Sequence, residues 1–239
     1  MGSPVLELEN VTVWRGDNKV FDGLSLRIET GEKIAVLGPN GAGKSTLLAL
    51  ISGDIHPVAD QGSSRLFGEE NWSLYDLREH VGLVTPEQHG LFADDELASD
   101  VVLTGLHGTY GITRGQTFTA AEKRRAWRAM KAVGVHELMW RDYGELSSGE
   151  RRRFLLARAL VHEPEILIFD EPTTSLDLPG AWDLIEVVRA LMRNGTGVML
   201  VTHDVREIPP EIDRVVLMKK GRILADGRKR RVLTAEQLG

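Results

Sequence analysis

The sequence has no cysteine, so disulfide frameworks, thiolate metal centres and cysteine nucleophiles are excluded outright. It has no basic excess: 29 Lys and Arg stand against 35 Asp and Glu, a formal charge of −6, which argues against a nucleic-acid-binding surface. No apolar run approaches the ~18–20 residues that a bilayer-spanning helix needs. The opening MGSPVLELENV has neither the charged start nor the apolar stretch of a secretory leader. Met1-Gly2 is how a myristoylated chain begins, but Leu6 stands where that signal wants Ser or Thr, so the ordinary reading holds. The expectation is a soluble chain whose 239 residues can bury a sizeable core without staples.

What is present begins with strands. LELENVTVW, LSLRIE and the nearly continuous KIAVL read as short β-elements, broken at Gly16-Asp17 and Thr30-Gly31-Glu32. KSTLLALIS then reads as a helix opening at Gly43, and weaker strands RLF and HVGLV flank a short helix at Leu74 to Glu79. From Asp94 to Tyr143 the pattern turns helical. Thr119-Ala-Ala-Glu122 is a capping box for a helix expected to carry Trp127, Met130 and Val133 on one face. The later segments FLLARALVH, EILIF, PGAWDLIEVVRALMRN and GVMLV alternate helix with buried strand, and DRVVLM and RILAD form a hairpin about Lys220-Gly221. Continuous apolar strands alternating with helices predict a parallel sheet covered on both faces.

Chemistry enters with GPNGAGKS, which fits G-x-x-x-x-G-K-[ST] between a strand and a helix. Gly38, Gly41 and Gly43 let backbone amides close around phosphate oxygens, Lys44 reaches the β- and γ-phosphates, and Ser45 offers its hydroxyl to Mg²⁺. In EILIFDEP, Asp170 ends a buried strand and is placed to hold Mg²⁺ or its water. Glu171 follows at the γ-phosphate edge, where a carboxylate polarises the attacking water. A lone histidine is more often structural than catalytic, but His203 ends another apolar strand, at the edge where ligands gather in α/β folds. It is read as a γ-phosphate sensor.

These pieces in this order resemble the nucleotide-binding subunit of an ATP-binding cassette (ABC) transporter. The matching stretches are the Walker A loop Gly38, Pro39, Asn40, Gly41, Ala42, Gly43, Lys44, Ser45 and Thr46; LSSGE at 146–150; ILIFDE; SLD at 175–177; and His203. The resemblance implies that two cassettes pack head to tail, with Ser147, Ser148, Gly149 and Glu150 of the signature loop and Asp177 of the D-loop meeting nucleotide held by the other copy. It implies that Trp14 stacks on adenine and that Gln88, two residues beyond the aligned Pro86, serves as the Q-loop ligand of Mg²⁺ beside Ser45 and Asp170. Ser148 replaces the usual glycine and Glu150 the usual glutamine. Ser147 or Ser148 also suits an ordinary helix cap, and Arg151 to Arg153 are expected on a solvated helix face.

The fold expected from this resemblance is α/β: a P-loop NTPase (RecA-like) core with an N-terminal antiparallel β subdomain and an inserted α-helical subdomain. The boundaries are 1–90 and 161–239 for the core and 91–160 for the helical part. The implied activity is Mg²⁺-dependent ATP hydrolysis by a homodimer or pseudo-symmetric cassette dimer. It powers separate transmembrane permease subunits from the cytoplasmic, inner face of the cell membrane, with no nucleic acid involved. VVLTGLHGTYGI and IPPEIDRVVLMKKGRILADG resemble importer ATPases for metal oxyanions or iron chelates. The rival from another class is a soluble ABC ATPase acting as an assembly or mechanical switch.

Overall fold

A computed structural model describes residues 3–234, so the Met1-Gly2 start lies outside the described residues. The chain runs β1 (Leu6–Arg15), β2 (Asn18–Ile28), β3 (Lys33–Leu37), α1 (Lys44–Ile51), β4 (Ser63–Leu66) and α2 (Leu74–His80). It continues with β5 (Val81–Val84), α3 (Ala98–Thr104), α4 (Ala120–Ala132), α5 (Ser148–Leu160), β6 (Ile166–Asp170) and α6 (Leu178–Arg193). It closes with β7 (Gly197–Thr202), β8 (Arg214–Lys219), β9 (Arg222–Arg228) and α7 (Lys229–Val232). Two compact units result: residues up to Leu77 together with those from Gly195 onward, and Arg78–Asn194.

In the first unit, β1 and β2 form an antiparallel hairpin and β4 pairs on the other side of β1. The second strand is longer than LSLRIE because Gly16, at φ +57°, lets the chain reverse at once and pair Arg15 with Asn18. Leu6, Leu8, Val11 and Val13 face Phe21, Leu24, Leu26 and Ile28 on the buried side. The register shifts three times along β1, first between Leu8 and Val11, where Asn10 takes φ +53°. Strand β3 pairs in parallel with both β7 and β8, and β9 adds antiparallel to β8 about Lys220-Gly221. Ile34–Leu37 and Val198–Val201 are buried without interruption, as strands covered on both faces must be.

In the second unit, β5 and β6 pair in parallel, and α5 packs against α3, α4 and α6. The Thr119 capping box forms: Thr119 Oγ1 accepts from the Glu122 N–H at 3.2 Å, and Glu122 Oε2 accepts from the Thr119 N–H at 2.7 Å. Ala126, Ala129, Met130 and Val133 make the buried face, but Trp127 does not join them and is 41% exposed. Its position lies one residue, about 100° of helix turn, from the Ala126–Met130 line. Its ring instead meets the His136 edge at 6.0 Å, with Lys131 Nζ 4.9 Å from its centroid. Among the described residues no helix is long and apolar enough to cross a membrane.

Candidate functional site

The loop Gly38–Gly43 connects β3 to α1, and two of its three glycines are dictated by close approach, whereas Gly41 is set by its φ of +76°. A Cβ at Gly38 would stand 2.3 Å from the Met218 carbonyl oxygen; one at Gly43, at φ +104°, would stand 2.7 Å from the Phe21 ring. The loop is clasped from outside by the Gly221 N–H, which donates to the Ala42 carbonyl at 2.9 Å. Helix α1 starts with no side-chain cap and no acidic residue in its first turn. Its first amides and the positive end of its dipole are therefore available to an anion. Pro39, Asn40, Gly41 and Ser45 are exposed, Ala42 and Thr46 buried. Lys44 is only 6% exposed and folds back over the loop, its Nζ donating to the carbonyls of Gly38 at 2.7 Å and Pro39 at 3.2 Å.

His203 is brought to this loop by register. Leu37 lies opposite Thr202, and the Gly38 N–H donates to the Thr202 carbonyl at 3.3 Å, so exposed His203 leaves β7 where the loop leaves β3. Asp204 beside it is held down to about pKa 2, chiefly by the Arg206 side chain. Trp14 pairs with Lys19, next to the Val13–Phe21 pair whose ring touches Gly43. It is 47% exposed with Lys19 Nζ 5.5 Å from its ring, so one aromatic face can be offered to a planar ligand.

The remaining sequence candidates stand in the unit Arg78–Asn194. Val84 lies opposite Phe169, so Gln88 and Asp170 follow strands that end together. Gln88 sits in a 3-10 turn, Pro86–Leu91, and is buried there. Its Oε1 accepts from the Thr85 N–H at 3.1 Å and its Nε2 donates to the Leu83 carbonyl at 3.2 Å. Glu171 adopts φ +44° and Ser175 φ +68°, left-handed conformations that cost a non-glycine residue about 1 kcal/mol or more each. The Thr174 hydroxyl donates to Glu171 Oε2 at 3.4 Å across this turn.

Ser147 caps α5, and Glu150 explains itself as the other half of a capping box. Ser147 Oγ accepts from the Glu150 N–H at 3.3 Å, and Glu150 Oε2 accepts from the Ser147 N–H at 2.8 Å. Burial works to raise the Glu150 carboxyl, but the Ser147 N–H and hydroxyl, with the charges of Arg141 and Arg153, outweigh it and hold it below its ordinary value. Ser148 is exposed. A Cβ at Gly149 would stand 3.2 Å from Gly180 Cα, and Asp177 Oδ1 accepts from the Gly180 N–H at 3.1 Å. The signature loop and the SLD segment, thirty residues apart, thus meet at the starts of α5 and α6.

The solvated face expected for Arg151 to Arg153 is not there. Arg152 is 1% exposed, with Nη2 reaching the Thr174 carbonyl at 3.4 Å, and Arg151 Nε donates to the Leu146 carbonyl at 2.9 Å. The reason is helical phase: Arg152 precedes Leu155 and Leu156 by three and four residues and shares their buried face. That spacing is the signal that would have found it. His89, also unremarked in the sequence, hydrogen-bonds through Nδ1 to Tyr143 Oη at 3.1 Å. Burial, then Arg152 and Arg151, lower its pKa to about 4.

Among the described residues no group of three or more His, Cys, Asp or Glu could cage a metal ion.

The family model described as ABC transporter matches residues 21–174. The cobalt import ATP-binding protein CbiO of Rhodobacter capsulatus is 35% identical, over 97% of this chain and 81% of its own length. The hemin import ATP-binding protein HmuV of Nitrobacter winogradskyi is 33% identical over 97% and 85%. Among solved structures, cbiO1 from Clostridium perfringens, part of the ABC transporter complex cbiONQ, superposes with a TM-score of 0.83 at 26% identity, covering 99% of this chain and 93% of that one. A dimeric ATP-binding cassette in a post-hydrolysis state with ADP and Pi gives 0.74 at 25% identity, covering 93% and 98%.

Proposed function

Because the chain belongs to the ABC transporter family, we propose that it is the ATP-hydrolysing subunit of an importer and drives separate membrane subunits from the inner face of the cell membrane. The observation that carries this is the uncapped start of α1, with Gly38 and Gly43 packed too tightly for any side chain and Lys44 laid over the loop. Such a cradle takes phosphate through backbone amides and a cation. Its neighbours supply the rest: Trp14 for the adenine, His203 for the γ-phosphate.

In this reading Gly38 to Thr46 bind the triphosphate, and Ser45, Asp170 and Gln88, whose amide oxygen now accepts from the Thr85 N–H, would hold Mg²⁺. Bound Mg²⁺ neutralises charge on the phosphates. Glu171, in its left-handed backbone conformation just past the end of β6, accepts a proton from the attacking water. The cassettes pair head to tail, so that Ser147, Ser148, Gly149, Glu150 and Asp177 complete the partner's nucleotide site; a solved relative in this family is dimeric with ADP and Pi. The helical subdomain, 91–160, and the Gln88 turn face the membrane subunits. The import direction follows the cobalt and hemin relatives.

The test is Glu171→Gln. ATP should still bind and hold a dimer on size-exclusion chromatography, while turnover falls by roughly 10²–10⁴-fold, the range for a lost general base. Normal turnover in that variant would remove Glu171 from the mechanism.

A further inference from the structure

Strand β7 is buried and apolar through Val201 and then ends on a hydroxyl, that of Thr202, which is wholly buried. A valine has the same shape and would suit such a strand without taking a polar atom out of water. Thr202 uses that atom twice. Its Oγ1 accepts from the Asp204 N–H at 3.0 Å and donates its one proton to Glu207 Oε2, with the Asp204 carbonyl farther off at 3.5 Å. The first bond closes a short side-chain turn with His203 at its centre.

The turn is held from its far end as well. Asp204 opens the 3-10 turn Val205–Glu207, its Oδ1 accepting from the Arg206 N–H at 2.9 Å while both carboxylate oxygens take the Arg206 guanidinium. That turn returns Glu207 to the Thr202 hydroxyl, so hydrogen bonds from Thr202 to Asp204, to Arg206 and back through Glu207 close a ring about the His203 backbone. Thr202 also carries the link to the phosphate loop, because its carbonyl accepts from the Gly38 N–H at 3.3 Å. Its main chain is tied to the loop, and its side chain fixes the step that follows. We propose that Thr202, through its hydroxyl bond to Glu207, is a positioning residue that holds His203 in the place from which it meets the γ-phosphate. The proposal rests on the reading of His203 as a γ-phosphate contact and adds the two side chains that hold it there. Thr202, wholly buried, acts through His203 and not on the nucleotide itself.

The experiment titrates the full chain, by calorimetry with Mg²⁺ present, with ADP and with the non-hydrolysable β,γ-imido analogue of ATP. The ratio of the two affinities reads the γ-phosphate contact apart from the rest of the loop. His203→Ala should lower the preference for the triphosphate. Thr202→Val should lower it by about three- to tenfold, the worth of one hydrogen bond, while ADP binds as before. Thr202→Ser keeps the hydroxyl and should restore it. In a chain already carrying His203→Ala, Thr202→Val should change nothing further, because residues that act as one unit do not add. A threonine that only supports the fold would weaken both nucleotides alike, in both backgrounds, and that result would overturn the proposal. If Thr202→Val does not fold, Glu207→Ala removes the acceptor from the half-buried side of the ring and carries the same expectations. An unchanged preference in Thr202→Val, or a loss as large in the His203→Ala background as in the parent, would overturn the positioning role alone. An unchanged preference in His203→Ala would overturn the γ-phosphate reading and the proposal together.

Discussion

Two helices in this molecule start from small-residue loops and do opposite things with their first amides. Helix α1 begins at Gly43 with no side-chain cap, whereas α5 begins at Ser147 inside a complete capping box with Glu150. The four orphan amides of a helix start must find acceptors. In α5 side chains of the chain itself accept from the Ser147 and Glu150 amides; in α1 no side chain does so, and glycines clear the space. In the proposed reading, the difference separates a loop that receives phosphate from one that holds its shape while it meets the partner cassette.

The most severe way to break the contrast is to put a methyl group into each loop. Gly43→Ala forces a side chain onto φ +104° and into the Phe21 ring at 2.7 Å. The strain costs about 1–3 kcal/mol, and the amides it misaims should reduce ATP binding further. Gly149→Ala has ordinary helical geometry and meets only Gly180 Cα at 3.2 Å, so α5 and α6 need part by a few tenths of an ångström. Thermal melts with and without Mg-ATP should show Gly43→Ala losing the nucleotide-induced shift and Gly149→Ala keeping it. If both keep it, the first loop is not the phosphate cradle.

Ser147→Ala is gentler. It removes the side-chain acceptor of the Glu150 N–H and should cost about 1 kcal/mol, read as a lower urea midpoint at unchanged slope. No equivalent loss is available at Gly43, which has no cap to remove. A Ser147→Ala chain as stable as the parent would mean that water replaces the cap without cost.

What the sequence disclosed was local. GPNGAGKST between an apolar run and LLALIS declares strand, loop and helix, because glycine positions and a lysine at a helix start are decided within nine residues. The Thr119 box was legible for the same reason. Trp127 and Arg152 were not, because burial around a helix depends on which neighbours arrive. Three apolar residues at helical spacing suggested a face for Trp127 that the Ala126–Met130 line claimed instead. Three consecutive arginines concealed that the middle one shared the phase of Leu155 and Leu156. Glu150, seen as a departure from the usual glutamine, is an equivalent capping residue at the same position.

That equivalence carries the smallest prediction. In the folded chain the Glu150 carboxyl is held below its ordinary value by the Ser147 N–H and hydroxyl, against the opposing effect of burial. A carboxyl whose folded pKa is depressed contributes stability that is fully present above its unfolded value, about 4.3, and lost as pH falls through the folded value. Glu150→Gln keeps the cap but cannot titrate, so the parent should exceed it by a few tenths of a kcal/mol at pH 7, the scale of an anion at a helix start. That margin should close as pH falls below about 4.3. His89 also changes charge on this path, charging at about pH 4 when folded rather than near its ordinary 6.5, so the stability of both chains falls in acid. It is present in both chains and cancels in the difference, so urea unfolding of the pair side by side isolates Glu150. A margin that stays constant from pH 7 to pH 3.5 would mean that glutamic acid and glutamine cap this helix alike in every protonation state.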